Sequence, residues 1–425
     1  MKILIIGNGG RERAIERFFV QKKDSSVQVT IWPHIASTNF DSVAKEFDMV
    51  IIGPEGPLVE GLADQLRARG VLVFGPDKNA AQLEGSKIFS KQFMIKYGVQ
   101  TSAYTVCSHV EDLKKAVHGQ KKFLNHKPHF ILETPYVLKA DGLAGGKGVF
   151  ICENENELYD KGADLFERKI LGQAGESALL EEFKKGYELS VILLTNGKEY
   201  EVLPIAQDHK RLKDGNRGPN TGGMGTFAPI HCEASLMKKI REKVIEPTLT
   251  GIGDQNWIYR GVLFIGLMIE NEEPYALEYN TRFGDPETQV ILPLIKNNPV
   301  EFFSEICSGK LPRLILDEDH HSCCVVLAAE NYPDQPIKGT PISGLNPNGQ
   351  PPSADETKYV LHAGTSKINS VYLTSGGRVL NAVGLGQNPR EARTKAYSLI
   401  EEVQWSGMQY RNDIGLDFPK LKSSS

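Results

Sequence analysis

The sequence predicts a multidomain protein of mixed α/β and α+β class. It should hold a doubly wound domain first, a glycine-hairpin unit and a hairpin core next, and a small α+β domain last. Three observations carry this. Up to about residue 99, apolar strand runs alternate with helical patterns, which builds a parallel sheet covered on both faces. From Tyr136, two strand patterns flank a glycine-rich turn and are followed by a helix and an exit strand. After Pro312 the chain becomes rich in strands and turns. A length of 425 residues leaves room for all of these at ~150 residues per domain.

Taken in order, residues 3–6 form an apolar run closed by Gly7, and 11–22 read as a helix. Residues 27–32, 49–52 and 71–74 read as further strands, with helices over 58–69 and 80–97. Strands at 137–139 and 149–152 enclose the turn 141–148, and a helix at 155–169 and a strand at 178–183 complete that unit. Residues 187–204 read as a hairpin turning at Asn196-Gly197, and 261–270 with 274–280 as a second hairpin. Gly376-Gly377 is a predicted hairpin turn, 389–403 a helix and 420–425 a frayed tail.

Composition excludes several functional classes. Hydrophobic residues at 40% and charged residues at 24% are ordinary globular usage, so wholesale disorder is excluded. A balance of 49 basic against 53 acidic residues argues against a chain held broadly to nucleic acid. No apolar run reaches the ~18 residues that span a bilayer, and the opening run is too short for a signal peptide. Cys107, Cys152, Cys232, Cys307, Cys323 and Cys324 are scattered without a C-x-x-C pair, which fits reduced thiols in a cytoplasmic protein. The histidines show no zinc-ligand spacing with them.

Four stretches carry chemistry. Gly7-Asn8-Gly9-Gly10 ends a strand and opens a helix, where free N–H groups attract an anion, so a phosphate or ribose phosphate fits there. A dinucleotide fingerprint would need glycine where Glu12 stands and an acid at the second strand end, which reads Ile31-Trp32-Pro33. Leu138 to Gly148 is not a Walker loop, because Gly148 rather than Ser or Thr follows Lys147. It is a glycine hairpin between strands, able to close over a triphosphate with Lys139 and Lys147 supplying charge. In Glu278-Tyr279-Asn280-Thr281-Arg282, alternation puts Glu278 and Asn280 on one face, where both oxygens reach one hard cation. Arg282 shares that face and can clamp a transferring phosphoryl group. The polar run Asp208-His209-Lys210-Arg211, with Gly218 to Gly225 after it, suits donors around a substrate.

Together these stretches resemble the ATP-grasp ligases, and most closely the phosphoribosylamine–glycine ligase family. The resemblance runs in order through ILIIGNGGRE, IIGPEGPLVEGLAD, FGPDKNAAQLEGSKIFSK, LKADGLAGGKGV, QDHKR, GPNTGGMG, EYNTRFGDPETQ, HAGT and GGRVL. It implies a preATP-grasp domain over 1–99, an ATP-grasp core over 100–135 and 186–315, a lid over 136–185 and a C-terminal domain over 316–425. It also implies that ATP lies between lid and core. Lys87 and Lys139 would contact phosphates, with Gly145, Gly146 and Lys147 on the moving loop. Glu181, Glu182 and Phe183 would form the adenine hinge, and Glu188 would bind ribose. Glu278 and Asn280 would hold Mg2+ or Mn2+, and Arg282, Lys147 and Asp208 would be catalytic. Asn8, Gly9, Gly10 and Glu55 would face the ribosyl substrate, with Lys210, Asn220, Thr221, Gly222 and Gly223 nearby.

The activity implied is ATP-dependent ligation of glycine to 5-phosphoribosylamine by a monomer. Other readings are an ATP-grasp ligase with a changed acceptor, a catalytically silent nucleotide-binding protein and, weakest, a dehydrogenase. Two departures fall on the acceptor side. Arg13 stands where the family usually has His. After the second strand, Pro33-His34-Ile35-Ala36-Ser37 replaces the family's Pro-Gly-Asn-Ala-Gly turn, in a shortened segment. Arg13 is therefore expected to direct charge toward a substrate phosphate.

Overall fold

Alternate residues of the first strand, Lys2–Ile6, feed two different cores, as a parallel strand covered on both faces requires. Ile3 and Ile5 pack with Phe18 and Phe19 of the helix Gly10–Val20. Leu4 and Ile6 pack with Leu58, Leu62 and Leu66 on the other side. The structure, a computed structural model, describes residues 1–22, 24–36, 39–125, 132–145 and 148–416. The first strand lies between Gln28–Trp32 and Met49–Ile52, and Leu72–Phe74 pairs outside the latter, all in parallel. The expected doubly wound domain is present.

Both long helices expected in this region are broken. The helix expected over 58–69 is Glu55–Glu60 and Leu62–Arg67, because Gly61 at φ +91 takes the left-handed conformation that glycine reaches without strain. The helix expected over 80–97 is Lys78–Gly85 and Lys87–Tyr97. Between them Ser86 is extended, and its Oγ accepts the Phe89 N–H at 3.0 Å as an N-cap. The break places Lys87 at a fresh helix start. A short helix, Phe40–Glu46, also lies between the second and third strands, where none was foreseen.

The glycine-hairpin unit is a four-stranded sheet in the order Tyr104–Cys107, Ala178–Glu182, Tyr136–Ala140, Val149–Cys152. Helices Val110–Val117 and Glu155–Phe166 share its core. Tyr104–Cys107, expected to belong to the core, is hydrogen-bonded into this sheet instead. The two expected core hairpins form one sheet: Tyr187–Thr195 with Tyr200–Val202, and Gly261–Glu270 with Glu273–Asn280.

A five-stranded sheet crosses the division expected at residue 316. Gly225–Ala228 pairs with His321–Ala328, which pairs with Arg378–Gly386 under the helix Pro389–Ile400. The C-terminal part is therefore bonded directly into the middle of the chain. Gly376-Gly377 is not a hairpin turn. The turn is Asn369-Ser370, with φ +48 and +68, between Thr365–Ile368 and Val371–Thr374. The two glycines instead carry the chain from that sheet to the five-stranded one, where a Cβ on Gly376 would stand 2.9 Å from Gly364 Cα. No described helix is long and apolar enough to cross a membrane. The tail expected to fray lies outside the described residues.

Candidate active site

The strand Tyr136–Ala140 carries Lys139 to 3.2 Å from Glu181 Oε2 and 3.3 Å from the Leu277 carbonyl. The same Glu181 oxygen lies 3.1 Å from Lys91, whose Nζ also donates to Thr101 Oγ1 at 2.6 Å and Ser102 Oγ at 2.9 Å. Burial, the largest influence, brings the Lys91 pKa down to about 8 against the opposing pull of Glu181. Burial works to raise the Glu181 carboxyl, but Lys139 and Lys91 prevail and hold it below its ordinary value. Its second oxygen, Oε1, is buried with no hydrogen-bond partner among the described residues. Lys91 was missed in the sequence, although it follows Lys87 by one helical turn in EGSKIFSK.

Asp141 was missed too. Its Oδ1 accepts from Ser86 Oγ at 2.9 Å and from the Ile88 N–H at 2.7 Å. This ties the glycine turn to the helix start that bears Lys87. Gly145 has φ +56 and open space around it, while Gly146 and Lys147 lie outside the described residues. The Glu182 carboxylate is held by Lys184 at 2.7 Å and accepts the Ala103 N–H at 3.3 Å. Phe183 directly follows the end of that strand.

A charged centre lies at the end of Glu273–Asn280. Lys210 Nζ stands 3.3 Å from Glu188 and 3.7 Å from Glu278. Burial pushes the Glu278 carboxyl up, but Lys210, Lys139, Lys87 and Arg282 outweigh it and leave the group below its ordinary value, hence ionised. Arg282 donates to Asn280 Oδ1 at 3.3 Å and to the Phe283 carbonyl at 3.2 Å. It also meets Glu84 at 2.8 Å and Glu55 at 3.3 Å. Glu84, 8% exposed and absent from the sequence reading, accepts the Thr281 N–H at 2.7 Å. The guanidinium is thus anchored by carboxylates of the N-terminal part of the chain.

The ionised Glu278 and the Asn280 amide oxygen are hard donors ringed by cations. They fit a divalent ion that completes its shell with phosphate oxygens. Among the described residues, no group of three or more His, Cys, Asp or Glu is arranged to hold a metal by itself.

A second polar centre is built where three segments meet. Burial, followed by repulsion from Glu287, raises the Asp208 carboxyl well above its ordinary value, and its Oδ1 is buried without a hydrogen-bond partner among the described residues. Gly223, at φ +106, passes so close that a Cβ would stand 2.7 Å from that oxygen and 2.5 Å from Pro286 Cδ. Thr221 donates to the Lys210 carbonyl through both its N–H and Oγ1 at 2.8 Å, and Gly222 N–H donates to Tyr332 OH at 2.9 Å. Asn220 pairs with Arg211 across a two-stranded ladder.

Arg378, from GGRVL, was missed in the sequence. It donates to the Gly222 carbonyl at 2.5 Å, the Asp285 carbonyl at 2.7 Å and Asp285 Oδ2 at 2.8 Å. The first glycine turn abuts the same place. A Cβ on Gly9 would lie 3.6 Å from Asp285 Oδ2, and one on Gly10 2.2 Å from Asn381 Nδ2.

At that turn, where the sequence suggested a bound phosphate, the anion at the helix start is Glu12 of the chain itself. Its Oε2 accepts the Gly9 N–H at 2.6 Å, and its Oε1 lies 2.7 Å from Arg11 Nε, so a carboxylate already caps the helix start. Arg13 donates to Asn8 Oδ1 at 3.2 Å and pairs with Glu16 at 3.0 Å.

Three family models of phosphoribosylglycinamide synthetase match this chain: the N domain over residues 1–84, the ATP-grasp (A) domain over 85–288 and the C domain over 322–417. The chain belongs to the phosphoribosylglycinamide synthetase family. It is 38% identical over 438 residues to phosphoribosylamine–glycine ligase of Clostridium acetobutylicum, covering 98% of this chain and 99% of that protein. It is 39% identical over 437 residues to the Haemophilus influenzae enzyme of the same name, covering 98% of each. The crystal structure of the Thermotoga maritima phosphoribosylamine–glycine ligase superposes with a TM-score of 0.80 at 36% identity, covering 97% of this chain and all of that one.

Biotin carboxylase of Campylobacter jejuni superposes with a TM-score of 0.68 at 16% identity over 96% of this chain and 92% of that one, a likeness of fold alone. As a phosphoribosylglycinamide synthetase-family member with an ATP-grasp domain, the chain is an ATP-dependent ligase of purine biosynthesis.

Proposed function

We propose that this chain joins glycine to 5-phosphoribosylamine, giving glycinamide ribonucleotide, ADP and phosphate by way of glycyl phosphate. The observation that carries the reading is the Glu278–Asn280–Arg282 strand end, facing Lys210 and Lys139 in a chain that matches the family over all three domains. A carboxylate is a poor acyl donor because oxide would have to leave. A glycine carboxylate oxygen attacks the ATP γ-phosphorus, the bond to the ADP oxygen breaks, and the resulting acyl phosphate has phosphate as its leaving group. The ribosylamine nitrogen then attacks the acyl carbon, phosphate departs, and the nitrogen loses a proton.

Each group has a matching part. Lys87, Lys139 and Lys147 take the ATP phosphates, with Gly145 and Gly146 closing over them. Glu181, Glu182 and Phe183 border the adenine, and Glu188 the ribose. Glu278 and Asn280 would hold a Mg2+ or Mn2+ ion, which would supply neutralisation of phosphate charge. Arg282, aimed by Glu84 and Glu55, stabilises the transferring phosphoryl group, mostly through positioning and electrostatics. Asp208, whose Oδ1 lies against the Gly223 turn with no hydrogen-bond partner among the described residues, is placed to take up the proton that the attacking amine gives up. Asn8, Gly9, Gly10, Arg13, Glu55, Lys210 and the turn Asn220-Thr221-Gly222-Gly223 surround the ribosylamine. A cytoplasmic monomer is part of the same reading.

The test is a product assay with ATP, glycine and freshly made phosphoribosylamine, and with each omitted. ADP and glycinamide ribonucleotide should form only when all three are present. Glycine-dependent ADP release without any need for phosphoribosylamine would instead support a changed acceptor, the reading to which the shortened segment after the second strand points. No ADP under any condition would support a silent nucleotide binder.

A further inference from the structure

A cleft of about 930 Å³ opens between the outer face of the first helix and the C-terminal part of the chain, and none of the ATP-handling residues lines it. Arg13, Arg17 and Val20 recur at helical spacing and form one wall. Ser366 and Lys367, on the strand Thr365–Ile368, and Tyr372 form the other.

The cations here are only partly engaged. Arg17 lies 3.4 Å over the Tyr359 ring and donates to the Glu356 carbonyl at 3.3 Å, while its Nε is buried with no hydrogen-bond partner among the described residues. Lys367 donates to the Pro347 carbonyl at 2.7 Å and sits 4.8 Å from the Tyr372 ring centre. Among the described residues, only Arg13 of the three forms an ion pair, to Glu16 at 3.0 Å.

His362 braces this wall. Its Nε2 donates to the Gly349 carbonyl at 2.8 Å, and its Nδ1 lies 2.8 Å from Thr365 Oγ1. Burial lowers its pKa, the Gly349 carbonyl opposes that, and Arg13 and Lys367 lower it further, so the ring is neutral and both cations are near it.

We propose that this cleft is an anion site for a sugar phosphomonoester, with Arg13, Arg17 and Lys367 around the phosphate and Tyr372 and Val20 against the sugar. Guanidinium groups suit phosphate because their donors match two of its oxygens at once. The volume exceeds what inorganic phosphate needs and leaves room for the sugar. The site stands without the ligase reading. Only its assignment to the 5′-phosphate of the ribosylamine rests on that reading, through the Arg13 bond to Asn8.

The test is calorimetric titration of the full chain with ribose 5-phosphate and with inorganic phosphate. Ribose 5-phosphate should bind, and Lys367→Glu and Lys367→Ala should each weaken it about tenfold, as loss of a charge-assisted contact does. Lys367 is exposed on a hairpin, and an unchanged melting temperature verifies that the variants fold. No binding by the wild type, or equal binding by both variants, overturns the proposal. Inhibition by ribose 5-phosphate that competes with phosphoribosylamine assigns the cleft to the substrate's own phosphate. Inhibition that does not compete assigns it to a separate effector, and either result supports the site. Glycine- and phosphoribosylamine-dependent ADP formation persists if this proposal alone fails.

Discussion

Lys91 Nζ lies 3.1 Å from Glu181 Oε2, and each side chain is only 2% exposed. Lys139 reaches the same oxygen, so one buried carboxylate positions two ammonium groups. A carboxylate buried with one cation removed is poorly compensated.

Lys91→Met is therefore expected to raise the KM for ATP about tenfold, through loss of one charge-assisted bond to Glu181, while leaving the KM for glycine near its wild-type value. Steady-state kinetics with each substrate varied in turn separates the two. Equal rises in both constants would mean that Lys91 supports the fold and not the nucleotide side.

Glu278→Gln removes the charge of the stronger donor in the proposed metal site. ADP formation is expected to fall at least about a hundredfold, as when a preorganised electrostatic group is lost. The Mg2+ concentration for half-maximal rate should rise. Chelation of the wild type should stop turnover, and either Mg2+ or Mn2+ should restore it.

Arg282→Ala leaves Glu84 buried without its cation. Beyond the loss of activity, stability is expected to drop by about 3 kcal/mol, the scale for breaking one side of a buried pair. Urea denaturation measures this, and Arg282→Ala combined with Glu84→Gln should recover much of it.

Arg378→Ala frees the Gly222 carbonyl and the Asp285 carboxylate from their shared anchor. The KM for phosphoribosylamine is expected to rise about tenfold with little change for ATP, because the lost bonds brace the Gly222 turn proposed to surround the ribosylamine. A rise confined to ATP would contradict that placement.

Asp413 supplies a pH-dependent prediction. Arg411, 1% exposed, meets it through two bonds of 2.7 Å. Burial works to raise the Asp413 pKa, but Arg411 and the Gly215 N–H bring it down to about 2. A carboxyl with its folded pKa below its unfolded one stabilises above the unfolded value, and that stabilisation is lost as pH falls through the folded one. Asp413→Asn should therefore cost about 2 kcal/mol at neutral pH. Its deficit relative to wild type should shrink between about pH 4 and pH 2, as followed by thermal melts.

Much of the architecture was legible because it depends on local periodicity. The run Ile3-Leu4-Ile5-Ile6 is apolar at every position and closed by glycine, the pattern of a strand buried on both faces. Period-two alternation put Glu278 and Asn280 on one face, and both end up in the charged centre with Lys210 and Arg282. The break at Gly61 was invisible because the apolar spacing continues on both sides of it, and a single left-handed glycine leaves that spacing intact.

The amino-acid order by itself determined the parallel first domain, the two core hairpins and the strand end that carries Glu278 and Asn280 on one face, because strand and helix periods and residue chemistry are local properties. Only the tertiary structure decided which groups those elements face. Glu84 meets Thr281 across 197 positions, and Arg378 meets Asp285 across 93. The strand Gly225–Ala228 joins His321–Ala328 in one sheet. Such partners are chosen by how sheets stack and where burial leaves a charge uncompensated, and no period in the chain records that choice.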